Sequence, residues 1–258
     1  MGLFKKILLS IGVGGAEVNT ELSQSSVRIG EDIQGVVNIV GGSAEQNIDR
    51  VEVELKTEYI KEVDDVKQKH TATLAKLVVD RDIAIAPNEK KQIPFTFRVP
   101  DHTPISMNRR TVWVETELEI SLAIDPEDRD YVEIRPSRTM EVVLDAVLNV
   151  LGFRLREVEC KAGYIGGSQG GFLQEFEFVP QLAFRGALDE LEITFLPASE
   201  GVNLFMQIDR RARGFKSFIQ EAAGLDEKHI ILTISNYDAS QGSSYVAQIL
   251  EDTIRNYC

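Results

Sequence analysis

Two cysteines, three histidines and one tryptophan are all that this chain of 258 residues contains of those types. Cys160 and Cys258 show neither Cys-x-x-Cys nor Cys/His ligand spacing, which argues against a disulfide framework and a zinc module and fits a reducing cytoplasm. His70, His102 and His229 share no ligand spacing with one another or with the cysteines, so no metal centre is expected from them. Positive charge is scarce as well. Lys and Arg total 28 against 41 Asp and Glu, a net charge of −13 that repels a phosphate backbone and, on average, an anionic membrane surface. Nucleic acid is therefore not expected as a partner. No apolar run approaches the ~18 residues of a membrane span, since the most apolar one, residues 142–153, is broken by Asp145 and Asn149. After Lys5 and Lys6 only Ile7, Leu8 and Leu9 follow as an apolar segment, too short for a secretory signal, so no export is expected.

What the chain does have is the balance of a folding globule, with 43% hydrophobic and 27% charged residues. Its length allows one large or two modest domains. From Ala16 onward, short alternating runs are separated by turn signals, the pattern of a half-buried antiparallel sheet. Val18, Thr20 and Leu22 alternate, as do Ile33, Gly35, Val37 and Ile39, and then Val51, Val53, Leu55, Thr57 and Tyr59. Residues 74–79 and 93–99 give two further strands with a turn at Ala86-Pro87-Asn88-Glu89. The clearest strand places Val112, Val114, Thr116, Leu118, Ile120, Leu122 and Ile124 on one face and Trp113, Glu115, Glu117 and Glu119 on the other. Such a series suits a two-sheet sandwich.

The polar, proline-bearing residues 125–136 read as a linker. Beyond it, Val142, Val143, Ala146, Val147, Val150 and Leu151 fall at helical spacing. Residues 154–160, 172–179, 191–196, 202–208 and 230–235 read as strands, with helices over 210–223 and 245–257. In the last helix Val246, Ile249, Leu250, Thr253 and Ile254 form the stripe expected to be buried. The expected division is an N-terminal amphipathic segment 1–15, β-rich domains 16–128 and 129–240, and a C-terminal helix 241–258.

Residues 83–106, IAIAPNEKKQIPFTFRVPDHTPIS, resemble a signature of arrestin-like domains. FKKILLSIG, LGFRLREVEC, QEFEFVP, DELEITFL and above all DRRARGF follow in order, and with them the chain resembles the bacterial sporulation-control family of stage zero, type M. The resemblance implies a mainly β fold of two arrestin-like antiparallel β-sandwich domains in tandem with a few short helices. It also implies cytoplasmic residence and a non-enzymatic regulatory or adaptor role in entry into sporulation, with a link to cell division.

Several constellations carry chemistry in other proteins. Gly166-Gly167-Ser168-Gln169-Gly170 fits the Gly-x-Ser-x-Gly pattern of a nucleophile elbow, and Asp189 or Asp209 and His229 follow in hydrolase order. An elbow needs a helix directly after the serine, whereas residues 172–179 alternate like a strand, so a hairpin loop is expected and no catalytic residue. Gly166 and Gly171 have phosphate-loop spacing, but Phe172-Leu173 stands where Lys-Ser/Thr is required, so no nucleotide cofactor is expected. Gly12, Gly14 and Gly15 are too closely set for a dinucleotide fingerprint and read as a hinge. Asp125, Glu127, Asp128 and Asp130 lack the glycine and twelfth-position glutamate of a calcium loop and read as a solvated acidic stretch.

Arg210, Arg211 and Arg213 are the one basic concentration, and with Phe215 they are the candidate interaction residues for an acidic surface or a phosphate group. Expected partners are proteins, with a homodimer as one such contact. Leu3, Ile7, Leu8 and Ile11 line one side of a short N-terminal helix whose membrane contact, if made, is weak and peripheral.

Overall fold

The computed structural model of the protein describes residues 15–107, 111–120, 125–166, 168–209 and 229–257. The chain divides into two compact units, one of residues 1–57 and 72–135 and the other of residues 58–71 and 136–258.

In the first unit, alternating apolar residues build two facing sheets. Strands β1 (Glu17–Leu22), β3 (Asp32–Val40) and β6 (Lys90–Arg98) form a three-stranded antiparallel sheet with β3 in the centre. The other sheet is built on β4 (Gln46–Val63), which pairs with β5 (Val66–Ile85) on one side and antiparallel with β7 (Val112–Ile120) on the other; β8 (Glu127–Arg135) and the short β2 (Ser26–Arg28) complete it. Ile33, Val37 and Ile39 turn inward from β3, and Val51, Val53 and Leu55 from β4. Thr20 and Thr116, both buried, share a 2.7 Å hydroxyl hydrogen bond that links β1 to β7. Pairing leaves neither buried hydroxyl unsatisfied.

The acidic stretch expected as a linker is corrected by the structure. Residues 127–135 are strand β8, with Val132 and Ile134 fully buried and Trp113 registered opposite Tyr131. A domain boundary between residues 128 and 129 would cut this strand, and the change of unit falls at Pro136. Its acidic side chains have structural tasks. Asp125 Oδ1 accepts from the Ile120 amide at 2.8 Å, and Asp128 Oδ2 accepts from the Thr20 amide at 2.6 Å.

Strands β4 and β5 are also longer than the sequence suggests, 18 and 20 residues. Asp64 and Asp65, both at positive φ of 52° and 61°, close their hairpin, the backbone of a two-residue primed turn that aspartate tolerates. The tip of this hairpin belongs to the second unit, where Ile60 registers parallel to Lys161 and Tyr59 stacks on Phe172 at 5.4 Å.

The second unit is an antiparallel meander of β9 (Phe153–Ala162), β10 (Phe172–Pro180), β11 (Glu190–Ala198), β12 (Gly201–Asp209) and β13 (His229–Ser235). Phe176, Phe178, Leu191, Ile193, Leu204, Met206 and Ile234 form its buried interior. Helix α1 (Arg138–Asp145) begins at Ser137, whose hydroxyl accepts from the Met140 amide at 3.3 Å, and runs into one π turn, Ala146–Val150. The extra residue of that turn shifts the buried stripe to Val143, Leu144, Ala146, Val147 and Leu151 and leaves Val150 exposed.

Helix α2 (Asn236–Ser240) is started by a reciprocal capping box between Ser235 and Asp238. The C-terminal helix α3 (Ser243–Arg255) packs on α1 and the π turn. It buries Val246, Leu250 and Ile254 as its sequence suggests and Ala247 besides, while Ile249 and Thr253 of the expected stripe are only half-buried. The expected helix at 210–223 and the N-terminal segment, with Leu3, Ile7, Leu8 and Ile11, lie outside the described residues.

Candidate functional site

The Gly-x-Ser-x-Gly sequence does not form an elbow. Ser168 sits in the loop between β9 and β10, where its amide donates to Ile165 O at 2.8 Å and its hydroxyl accepts from the Ile165 amide at 3.1 Å. Gly170 and Gly171, at φ of 86° and 71°, lead straight into β10. A strand follows where hydrolase geometry needs a helix. Asp189 stands exposed before β11, Asp209 ends β12, and His229 opens β13 with its ring stacked on Phe205 at 5.1 Å. His70, on β5, stacks on Tyr59 at 5.6 Å, and His102 lies in the turn after β6, where burial lowers its pKa against the opposing charge of Asp101. Cys160 is a free, buried thiol that burial pushes up to about 12, which makes it unreactive. Cys258 and the candidate interaction residues Arg210, Arg211, Arg213 and Phe215 lie outside the described residues.

Two charged sheet faces are instead assembled by strand register. On the outer face of the first unit, Lys56 pairs with Glu54 at 2.7 Å and with Glu115. Trp113 Nε1 donates to Glu115 Oε2 at 3.0 Å, and Arg129 reaches the same oxygen at 2.8 Å with its guanidinium 4.6 Å over the indole ring. Lys76 joins Glu52 at 2.5 Å and Glu54 at 3.3 Å. Burial alone would raise the Glu115 carboxyl. Hydrogen bonds from Lys56, Trp113 and Arg129 outweigh it and hold the group below the ordinary carboxylate range. On this face the Glu115 carboxyl is matched, while Glu117, registered opposite Glu52, is raised by burial and by the charge of Asp125.

The second unit carries a carboxylate face that is not matched in this way. Alternation on β10 puts Glu175 and Glu177 on one side of the sheet, and alternation on β11 puts Glu190, Glu192 and Thr194 there. Register then sets Glu177 directly opposite Glu192 and Glu175 directly opposite Thr194. A bulge in the β9–β10 pairing at Glu177/Phe178 accompanies the approach of Arg156, which pairs with Glu177 and, at 2.6 Å, with Glu190. Lys161 pairs with Glu175.

Oxygens of Glu177, Glu190 and Glu192 all lie within 4.8 Å of one another. Glu175 and Thr194 are only 4% and 1% exposed. Among the described residues, Glu175 Oε2, Glu192 Oε2 and the Thr194 hydroxyl are buried without a hydrogen-bond partner. Burial, with the charges of Glu175 and Glu190 added, pushes the Glu192 carboxyl up to about 8; burial also raises Glu175, against the pull of Lys161. Next to these carboxylates, Ile165, Leu173, Leu196 and Phe205 form a buried apolar cluster.

The family model described as SpoOM protein matches residues 4–212 of the chain. The sporulation-control protein spo0M of Bacillus subtilis (strain 168) is 35% identical over 258 residues, covering 100% of this chain and 99% of that protein. The crystal structure of Spo0M, sporulation control protein, from Bacillus subtilis superposes with a TM-score of 0.88 at 34% identity, covering 95% of this chain and 100% of that one.

Proposed function

The chain belongs to the SpoOM protein family, and from that premise we propose that it is a cytoplasmic, non-enzymatic regulator or adaptor that controls entry into sporulation. Its two units act as arrestin-like sandwiches that recognise proteins, and Arg210, Arg211, Arg213 and Phe215 contact an acidic partner surface. The observation that carries the reading is likeness over whole length, 35% identity to a sporulation-control protein with 99% of that relative covered. A fold alone would not support it, because sandwiches serve many functions.

The non-enzymatic part draws on Ser168, the residue most like a nucleophile, whose hydroxyl accepts from a turn amide instead of facing a base. Among the described residues no helix is long and apolar enough to cross a membrane, which suits the cytoplasmic assignment.

Complementation tests the reading. Expressed in a Bacillus subtilis strain lacking its sporulation-control protein spo0M, the folded chain should restore the parental sporulation frequency. The Arg210→Glu/Arg211→Glu variant, expressed at the same level, should restore it less and should lose partners in a pull-down from the native cell. An intact chain that leaves the frequency of the deficient strain unchanged counts against the regulatory role. A double variant that behaves as the parent counts against the arginine contact alone.

A further inference from the structure

We propose that the carboxylate face of the second unit's sheet binds a calcium-sized divalent cation between Glu177, Glu190 and Glu192, with Glu175 and Thr194 beside it. The first argument is the donor set. Every side chain that converges there offers oxygen, and oxygen-only donors select hard cations over the transition metals that favour imidazole or thiolate.

The second argument is size. Calcium–oxygen bonds of ~2.4 Å place ligands on opposite sides of the ion ~4.8 Å apart, whereas magnesium at ~2.05 Å closes that span to ~4.1 Å. The three carboxylates keep their oxygens within 4.8 Å of one another. They are therefore close enough together to share one ion of this size.

The third argument is charge. Directly opposed like charges in a sheet are destabilising, yet Glu177 and Glu192 are registered face to face, with Glu190 two residues along the same strand. Arg156 engages Glu177 through Oε1 and Glu190 through Oε2. Among the described residues Glu192 Oε2 is buried and unpaired, which leaves it for another ligand. Ionised, three carboxylates against one guanidinium carry two negative charges in excess, which a single divalent ion cancels.

The fourth argument is independent of the acidic cluster. Among the described residues the Thr194 hydroxyl, 1% exposed, has no partner, and neither has the buried Glu175 Oε2 across the register from it. An unmet buried polar group costs ~1–3 kcal/mol, and a bound ion with its waters satisfies such groups together. The buried Glu115 of the first unit, by comparison, spends its oxygens on Lys56, Trp113 and Arg129, although Thr103 and Asp130 there also keep a buried oxygen unpaired among the described residues.

The test is calorimetric titration of the full chain, freed of metal with EDTA and dialysed, with calcium chloride and separately with magnesium chloride. Expected are one calcium site with a Kd at or below ~1 mM, the weak end of biological calcium sites, magnesium binding weaker by roughly tenfold or more, and a higher melting temperature with calcium. Glu192→Gln, isosteric and therefore expected to fold, should weaken calcium binding by roughly tenfold or more. Glu190→Gln should weaken it as well, while Glu119→Gln on the first unit should not. Absence of calcium heat, equal response to both ions, or binding unchanged in Glu192→Gln and Glu190→Gln would each overturn the site. Should Glu192→Gln fail to give the parental circular dichroism spectrum, Glu190→Gln decides alone.

Discussion

Replacing Glu192 by glutamine in the absence of metal should remove a pH dependence from the stability of the protein. In the folded chain the Glu192 carboxyl is pushed from its ordinary value of 4.5 up to about 8, first by burial and then by the charges of Glu175 and Glu190. Below pH 4.5 folded and unfolded chains both hold the proton, and the contribution is fully present. Between pH 4.5 and 8 the folded chain keeps a proton that the unfolded chain has released, so stability falls as pH rises through that window. Above 8 the folded chain also ionises, and the cost levels off.

At ~1.4 kcal/mol per pH unit the upper bound is ~5 kcal/mol. Solvent that reaches this incompletely buried side chain screens the charge, and ~2 kcal/mol is the working expectation. Glutamine keeps the shape and cannot ionise. Urea unfolding followed by far-ultraviolet circular dichroism at pH 5, 6.5 and 8.5, with EDTA throughout, should show the variant gaining ~2 kcal/mol relative to the parent between the first pH and the last. A parent–variant difference that is flat across this range, or that moves the other way, would refute the burial argument for Glu192.

Two further substitutions address the scaffold. Leu250→Ala, at a fully buried position of α3, should lower stability by ~2–4 kcal/mol in a thermal or urea scan, while Tyr245→Ala at the exposed edge of the same helix should stay within ~0.5 kcal/mol. Gly41→Ala would bring a methyl group to within 2.0 Å of the Ala86 carbonyl oxygen, in the loop where Asn88 N donates to Gly41 O at 3.0 Å, and should cost ~1–3 kcal/mol by the same measurement.

Much of the fold is legible because a buried sheet face writes itself into the sequence at period two. Val112, Val114, Thr116, Leu118 and Ile120 are all buried where alternation places them, and Val246, Leu250 and Ile254 do the same for α3 at helical spacing. Legibility fails where polar residues take structural work. Strand β8 offers only Val132 and Ile134 to the core, and Asp125 before it and Asp128 within it, engaged with the amides of Ile120 and Thr20, look like solvated linker in one dimension. The long β4–β5 hairpin escapes notice because Asp64-Asp65 supplies the positive φ that a turn usually takes from glycine, and because Val66 to Thr73 lie mostly in solvent with no apolar face to announce them.

The carboxylate face of the second unit is illegible for a different reason. Glu190-Leu191-Glu192-Ile193-Thr194 alternates cleanly, and alternation says that Glu190, Glu192 and Thr194 share a face. It gives every ground for taking that face as the wet one, since acidic residues opposite Leu191 and Ile193 are what a half-exposed strand shows. Whether the face is wet depends on what lies beside it, and that is set by register with residues 15 and 19 positions earlier in the chain, where Glu177 meets Glu192 and Glu175 meets Thr194. A slip of one residue would send Glu177 and Glu175 to the opposite side of the sheet. The register is held by Phe176 and Phe178, which must reach the interior beside Ile193 and Leu191. Apolar burial thus dictates the opposition of like charges, and a chain that keeps such an opposition buried needs a compensating charge. Arg156 and Lys161 supply part of it. Without metal a proton on Glu192 supplies the rest up to about pH 8, and a bound cation would take that proton's place.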